Sequence, residues 1–272
     1  MKGLALALSL TAAPELPPPP PPAAIAGRAV GTEDQVVALL KGSGVPESFA
    51  RGAFADPRRE FLPDVPGRIG TPAESLPYEK YRLIFLTPAR IDGGVRFASE
   101  QAAVLEAVGA RYGVDPLVML SLVGVETSYG TGTGKYVVFN ALDTQAEQIP
   151  SRSAFGTREL AEWLKLCWED KLDPFSVKGS YAGAFGYGQF IPSTFNHYAV
   201  DFDGDGKRSF DRWPDVLASI ANYLVKMGYP PGATDFSERS PAWKAIYAYN
   251  HSDNYVNVVL ELRQIVQSRL KN

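Results

Sequence analysis

One glutamate is a candidate acid catalyst because of the chain that precedes it. Glu126 follows an apolar run, residues 117–125, and comes directly before the polar turn at residues 127–130. A carboxyl at the end of a buried helix loses solvent and feels the negative end of the helix dipole, so we expect its pKa to rise. A raised pKa lets a carboxylic acid keep its proton near neutral pH and act as a general acid. The alternative is a glutamate exposed where the helix reaches solvent.

A second stretch, the glycine-rich segment (residues 179–193), combines residue types that bind sugars. It contains glycines, aromatic rings and one amide side chain, Gln189. Glycines let a backbone approach a ligand closely, aromatic rings offer flat faces to sugars, and an amide both donates and accepts hydrogen bonds. The alternative is a turn that leads into a helix at Pro192. The density of glycine and aromatic residues favours a ligand-binding loop.

Three separate segments resemble those of the lytic murein transglycosylase B family, which cleaves peptidoglycan. They are residues 124–130, the glycine-rich segment and the tyrosine segment (residues 249–255), and they occur in the family's order. The resemblance implies a mainly α, lysozyme-like catalytic domain with a deep cleft. It also implies cleavage of the β-1,4 bond between N-acetylmuramic acid and N-acetylglucosamine, with formation of 1,6-anhydro ends.

The same resemblance gives roles to individual side chains. It implies that Glu126 acts first as the catalytic acid and then as the base. It implies that six further side chains contact the saccharide: Tyr81, Ser180, Gln189, Tyr249, Asn250 and Tyr255. The last three of these would hold the sugar next to the bond that is cleaved.

Residues 201–207 read Asp-Phe-Asp-Gly-Asp-Gly-Lys, which matches the beginning of an EF-hand calcium loop. The run offers carboxylates and one backbone carbonyl at loop positions 1, 3, 5 and 7: Asp201, Asp203, Asp205 and Lys207. An EF-hand has a glutamate at position 12, where this chain has Arg212. The nearest fitting carboxylate is Asp215, and the resemblance implies the last ligand of a lengthened loop there. We expect one structural calcium ion; the alternative is a solvated Asp-Gly turn.

Three other functions are alternatives to a transglycosylase. A muramidase, which hydrolyses the same bond, normally needs a second carboxylate across it; Glu147 is in range but has no motif around it. A non-catalytic peptidoglycan-binding protein has no need of a buried acid. A calcium-regulated interaction protein would pair its loop with a second EF-hand, which we do not find. These observations favour the transglycosylase.

The elements that must position these residues are predicted to be helices. Asp115 followed by Pro116 predicts a helix start, and the helix is apolar almost all round through Val125, so we expect it to be buried. Apolar spacing predicts further helices over residues 33–40, 99–112, 157–170, 214–227, 240–250 and 253–270. Residues 56–78 are predicted to be irregular, and alternating strands are scarce. We predict a mainly α fold with small irregular or β additions: a domain over residues 27–272, with its lysozyme-like core over about 95–272.

Composition and the N-terminus indicate the cellular setting. The net charge of −3 gives no basic surface for nucleic acid, and Cys167 is predicted to be buried and inert. Residues 1–26 form a signal-like apolar run and a proline-rich leader. Because no cysteine lies near that run, we expect export to the periplasm without a lipid anchor, or weak anchoring by an uncleaved leader. The expected partner is the glycan strand, a cell-wall enzyme complex is a further candidate partner, and the expected state is a monomer.

Overall fold

The computed structural model describes residues 31–70 and 76–271, and this part of the chain is mostly helical. Its thirteen α-helices, α1 to α13, run in this order: Thr32–Leu39, Glu47–Ala55, Val65–Ile69, Tyr78–Phe85, Pro88–Glu100, Ala102–Tyr112, Pro116–Thr127, Val138–Gln148, Ser153–Glu169, Pro192–Tyr198, Trp213–Lys226, Pro241–Tyr249 and Asp253–Lys271. Strands β1 (Tyr136–Val137) and β2 (Lys178–Gly179) form a two-stranded sheet. The mainly α prediction is confirmed, while the leader at residues 1–26 lies outside the described residues.

Helix α7 runs through the core. Asp115 Oδ1 accepts a hydrogen bond from Leu117 N at 2.7 Å, so the predicted cap is present. Every residue from Val118 to Thr127 is buried, because α7 is surrounded by α5, α6, α11 and α13. Burying one large apolar side chain contributes about 1.5–3 kcal/mol. This packing fixes the last turn of α7, which carries Glu126.

Helices α8 and α9 pack together and support the start of the glycine-rich segment. A Cβ added at Gly156 of α9 would lie 2.5 Å from the backbone nitrogen of Ala146, so their close approach requires glycine there. Strand β1 leads directly into α8 and pairs antiparallel with β2, with Tyr136 opposite Gly179. The sheet therefore holds the beginning of the glycine-rich segment beside α8.

The chain before α3 is tied to α8 by buried polar side chains. Asn140 Nδ2 donates to the carbonyl oxygen of Arg58 at 3.0 Å, and Thr144 Oγ1 accepts from Leu62 N at 2.9 Å. Arg59 pairs with the fully buried carboxylate of Asp143 at 2.8 Å. This stretch is irregular as predicted, but the prediction of irregular chain through residue 78 is wrong where α3 forms.

The boundary between α5 and α6 differs from the prediction. A helix was predicted to begin at residue 99, but Ser99 lies inside α5, which begins at Pro88. Thr87 is the true cap, since its Oγ1 accepts from Arg90 N at 3.3 Å. Thr87-Pro88 is the same cap-and-proline signal as the one that starts α7. The chain then bends at Gln101 before α6.

The length and apolarity of the described helices determine whether any of them could span a bilayer. No single helix within residues 31–70 and 76–271 is long and apolar enough to cross one. The pair α6 and α7 meets the criteria jointly, but the two helices bend by 118° where they join.

Candidate active site

Glu126 lies in the last turn of α7 and is 8% exposed. Its Oε1 accepts a hydrogen bond from Tyr255 Oη at 2.6 Å. Burial, followed by the nearby charge of Glu126, raises the pKa of both Tyr255 and Tyr249 well above the usual range for tyrosine. Tyr255 therefore stays protonated and acts as a hydrogen-bond donor to the carboxylate. The raised pKa expected for Glu126 itself stays a prediction.

The turn after Glu126 (residues 127–130) has an unusual backbone. Three consecutive residues adopt left-handed φ angles: Ser128 at 48°, Tyr129 at 60° and Gly130 at 81°. Such angles are costly for residues that carry a Cβ, so the surroundings must hold them. Arg90 does so from one side, donating from Nη2 and Nε to Ser128 Oγ at 2.7 and 3.1 Å. The Tyr129 ring fills the space beside Gly124, where an added Cβ would lie 2.7 Å from Tyr129 Oη.

The three segments singled out in the sequence meet at this turn. Thr127 Oγ1 lies 3.0 Å from the carbonyl oxygen of Tyr187, in the glycine-rich segment. Tyr249 Oη donates to the carbonyl oxygen of the next residue, Gly188, at 2.5 Å. The Glu126–Tyr255 hydrogen bond closes the arrangement. The end of α7, the glycine-rich segment and the tyrosine segment are thus in direct contact.

Ser180 and Gln189 shape the glycine-rich segment. Ser180 Oγ accepts from the backbone nitrogens of Ala182 and Ala184 at 3.2 and 3.1 Å. Gln189 Nε2 donates to the carbonyl oxygens of Gly186 and Thr133 at 2.9 and 3.2 Å. Both side chains are at least nine-tenths buried. These contacts give both residues a role in folding the loop, and their contact with sugar stays a prediction.

Tyr81 and Asn250 complete the set of residues named from the sequence. Tyr81 is fully buried in α4, where its ring packs on Phe85 with centroids 4.9 Å apart. It is close enough to Tyr255 to raise the pKa of that phenol. Asn250 is 1% exposed and ends α12, between Tyr249 and Tyr255 in the chain. Tyr81 is therefore a neighbour of Tyr255, while the contact of Tyr81 and Asn250 with sugar stays a prediction.

Three carboxylates of α8 and α9 have partners of their own. Asp143 and Glu147 lie 2.8 and 3.7 Å from Arg59 nitrogens. Glu159 accepts from the nitrogen and hydroxyl of Ser193, and burial raises its pKa to about 7. Glu147, the only second carboxylate considered from the sequence, is thus held by an arginine.

The predicted calcium loop brings three of its carboxylates together. One oxygen from each of Asp201, Asp203 and Asp215 lies within 4.8 Å of the others. Asp205 is not part of this group; it pairs with Arg212 at 2.6 Å, and Arg212 also lies 3.4 Å from Asp203. Lys207 lies in the same exposed loop, and its backbone nitrogen donates to Asp205 Oδ1 at 2.9 Å. Three converging carboxylates suit a hard divalent cation such as calcium.

This loop also contacts the glycine-rich segment, which the sequence did not reveal. Phe210, near the end of the loop, accepts a hydrogen bond through its carbonyl oxygen from Tyr187 N at 2.8 Å. A Cβ added at Gly186 would lie 2.4 Å from the same oxygen. Tyr187 is therefore fixed between the loop and the end of α7.

Two residues of the site had no role predicted from the sequence. Thr127 lies within the segment of residues 124–130 without a predicted role of its own, and no sequence feature indicates a role for Arg90. Arg90 follows the Thr87-Pro88 helix start by two residues, but nothing local indicates its contact with Ser128. Both contacts depend on elements that are distant in sequence, so they became visible only in the fold.

A cavity of about 710 Å³ lies elsewhere, between α6, the start of α7 and the end of α13. Its lining includes Pro116 and Leu117 but none of the candidate site residues around Glu126 and none of the calcium-loop residues. Glu126 is nine residues further along α7, or roughly 14 Å at the rise of a helix. The cavity is therefore separate from the candidate site.

A helical domain that holds a buried glutamate at the end of a core helix, beside tyrosines and a glycine-rich loop, is of the lysozyme-like class. The chain belongs to the family described as "Transglycosylase SLT domain", whose sequence model matches residues 33–240. That range includes Glu126 and the glycine-rich segment, and the tyrosine segment follows it.

Similar proteins agree with this assignment. Over 153 residues the chain is 38% identical to "Membrane-bound lytic murein transglycosylase B" of Escherichia coli (strain K12). The aligned residues make up 56% of this chain and 42% of that protein. The soluble lytic transglycosylase SltB1 of Pseudomonas aeruginosa is 29% identical, with a TM-score of 0.80 over 89% of this chain and 99% of that one. SltB3 of Pseudomonas aeruginosa, solved with NAG-anhNAM-pentapeptide, is 26% identical, with a TM-score of 0.75 over 86% and 78%. The resemblance and the lysozyme-like fold are confirmed.

Proposed function

We propose that this protein is a peptidoglycan lytic transglycosylase that cleaves the MurNAc–GlcNAc β-1,4 bond and leaves 1,6-anhydro-MurNAc ends. The observation that carries the proposal is the buried Glu126, held by Tyr255 where the three segments meet. Membership of the family and the names of the similar proteins support the same reaction. The aligned part of this chain covers less than half of the Escherichia coli relative, so the activity is proposed for this chain on its own residues.

The first step is proton transfer from Glu126 to the glycosidic oxygen. Burial favours the neutral carboxylic acid before the reaction. As the bond breaks, positive charge develops at the anomeric carbon of the muramic acid and Glu126 becomes a carboxylate. The hydrogen bond from Tyr255 stabilises the carboxylate that forms.

The second step closes the ring. The 2-acetamido oxygen of the substrate stabilises the anomeric carbon, held by polar groups such as Asn250 or Tyr255. Glu126 then takes the proton from the C6 hydroxyl of the muramic acid, and that oxygen bonds to the anomeric carbon. Glu126 is thereby protonated again, and one residue has served as acid and as base.

Product analysis separates this proposal from its alternatives. Purified sacculi are incubated with the protein, and the soluble muropeptides are examined by mass spectrometry. We expect 1,6-anhydro ends. Reducing ends would identify a muramidase, and binding to sacculi without release of fragments would identify a peptidoglycan-binding protein.

We further propose one structural calcium ion at the loop of residues 201–215. Asp201, Asp203 and Asp215 support it through their converging oxygens. In this proposal Asp205 and the carbonyl of Lys207 complete the ligands, and Asp205 exchanges its pairing with Arg212 for the metal. The bound ion supplies positive charge that cross-links the loop.

We propose that the substrate is the glycan strand of peptidoglycan and that the protein is exported to the periplasm, where that polymer lies. The family supports both, since its relatives are named for murein cleavage. Cell fractionation tests the location, and an intact, cytoplasmic protein would contradict it. A monomer that can join a cell-wall enzyme complex is part of the same proposal.

A further inference from the structure

Thr127 directly follows Glu126 and is almost fully buried, at 2% exposed. Its Oγ1 accepts a hydrogen bond from Gly130 N at 2.9 Å. The same hydroxyl lies 3.0 Å from the carbonyl oxygen of Tyr187 and 3.3 Å from that of Val123. The hydroxyl has one proton to donate, and the shorter distance favours donation to the carbonyl oxygen of Tyr187. One hydroxyl closes the turn after Glu126 and also joins it to the glycine-rich segment.

This contact between Thr127 and Tyr187 lies at the end of α7, where helical hydrogen bonds no longer fix the backbone. Helix α7 ends at Thr127, and the next three residues are left-handed. The partner residue Tyr187 is itself fixed, because its backbone nitrogen donates to the carbonyl oxygen of Phe210 at 2.8 Å. The backbone that carries Glu126 is thus linked through one side chain to a segment that is itself held in place.

We propose that Thr127 is a positioning residue for the reaction. Its hydroxyl sets the position and orientation of the Glu126 side chain relative to the glycine-rich segment. The proposal rests on the proposed function. It follows from geometry, because a general acid must reach the glycosidic oxygen within hydrogen-bond distance. A displacement of about 1 Å at a reacting group can lower the rate about 100-fold.

The central variant is Thr127→Val, which keeps the branched shape and removes the hydroxyl. Thr127→Ser keeps the hydroxyl and removes only a methyl group. Thr144→Val is the matched control: Thr144 is 1% exposed in α8, and its Oγ1 accepts from Leu62 N and donates to Asn140 O at 2.9 and 2.7 Å. This control loses the same kind of hydrogen bonds away from the site.

Release of anhydro-muropeptides from soluble, uncross-linked glycan strands is measured for each variant well below its melting temperature. We expect kcat to fall at least about tenfold in Thr127→Val with KM within threefold, because positioning acts on the reaction more than on binding. Thr127→Ser should recover most of kcat, and Thr144→Val should lose stability with kcat unchanged. If Thr127→Val does not fold, Thr127→Ala, which also lacks the hydroxyl, replaces it.

Two results would overturn the inference. One is a kcat within twofold of the wild type in the hydroxyl-free variant. The other is an equal loss in Thr127→Ser or in Thr144→Val, which would make the effect one of general packing or stability. If the wild-type protein releases no anhydro products, the proposed function fails first. Activity in the wild type and in Thr127→Val alike would remove this inference alone.

Discussion

At the scale of single residues, Glu126 is controlled by contacts on both its side chain and its backbone. Tyr255 donates to its carboxylate at 2.6 Å, and Thr127 links the following peptide to the glycine-rich segment. The Tyr255 phenol is buried and its pKa is raised well above the usual range, so it remains a donor. The Tyr255 hydroxyl is therefore available as a hydrogen-bond donor to Glu126 throughout the working pH range.

Replacing Tyr255 by phenylalanine should lower kcat by about 10- to 100-fold. A hydrogen bond to a charged group contributes about 1.5–3 kcal/mol, and here it stabilises the carboxylate that forms after proton transfer. Tyr78→Phe is the control, because Tyr78 Oη donates to Glu261 Oε2 at 2.6 Å away from the site. Equal rates for Tyr255→Phe and the wild type would show that this hydrogen bond plays no part in turnover.

Some of the site could be predicted from the sequence, and the limit is set by distance along the chain. The burial of Glu126 follows from a helix that is apolar all round, which local pattern reveals. The left-handed turn is held by Arg90, which is 38 residues from Ser128, and no local pattern connects them. Ser180 was assigned to the saccharide, but the structure also gives its Oγ a role in folding the loop.

At the scale of elements, the helices are held at their ends by polar side chains from other elements. Glu159 of α9 illustrates this, because it accepts hydrogen bonds from the nitrogen and hydroxyl of Ser193 at the start of α10. The predicted helices over α7, α11, α12 and α13 lie where the sequence placed them. Helix α7 has a cap-and-proline start and a continuous apolar run, and the other three have apolar residues at helical spacing. The predicted helix start at residue 99 is wrong because the stronger start signal, Thr87-Pro88, lies earlier in the chain.

Glu159 should make the stability of the fold depend on pH. Burial raises its pKa from 4.5 to about 7, so the folded state holds this proton more tightly than the unfolded state. The resulting stabilisation is complete below pH 4.5 and is lost as pH rises through about 7. The free energy of unfolding should therefore fall by roughly 2–3 kcal/mol between pH 5 and 8 on account of this group.

Urea denaturation of Glu159→Gln at pH 5 and pH 8 measures this effect. The variant should lose most of the decline that the wild type shows, since its amide does not titrate. Glu261→Gln is the control, because hydrogen bonding to Arg82 lowers the pKa of Glu261, which shifts its contribution to more acidic pH. An undiminished decline in Glu159→Gln would refute the assignment.

Calcium should stabilise the protein through the loop of residues 201–215. An ion that binds only the folded state at a concentration 100 times its Kd contributes about 2.7 kcal/mol, which corresponds to a rise in Tm of about 5 °C or more. Asp201→Ala should abolish most of the rise. Asp211→Ala is the control, since that exposed residue of the same loop accepts from Ser209 Oγ and lies outside the converging group. Identical melting curves with calcium and with chelator would show that the loop is only a turn.

At the scale of the whole molecule, one helical scaffold brings together residues that are far apart in sequence. Helix α7 presents Glu126 from the core, the end of α12 and the start of α13 present the tyrosine segment, and the sheet with α8 supports the glycine-rich segment. The family matches residues 33–240, so its sequence model covers most of this scaffold. The structure adds the contacts that join the scaffold to the acid.

The central claim is that Glu126 performs both proton transfers, and Glu126→Gln tests it most directly. The amide keeps the shape of the side chain but can neither donate the proton nor take one from the C6 hydroxyl. Release of 1,6-anhydro-muropeptides from purified sacculi should fall by at least about 100-fold, while binding to sacculi is retained. Glu147→Gln should keep wild-type activity, because Glu147 lies beside Arg59 and not at the site. Near-wild-type release by Glu126→Gln would show that another residue is the catalyst and would contradict the account.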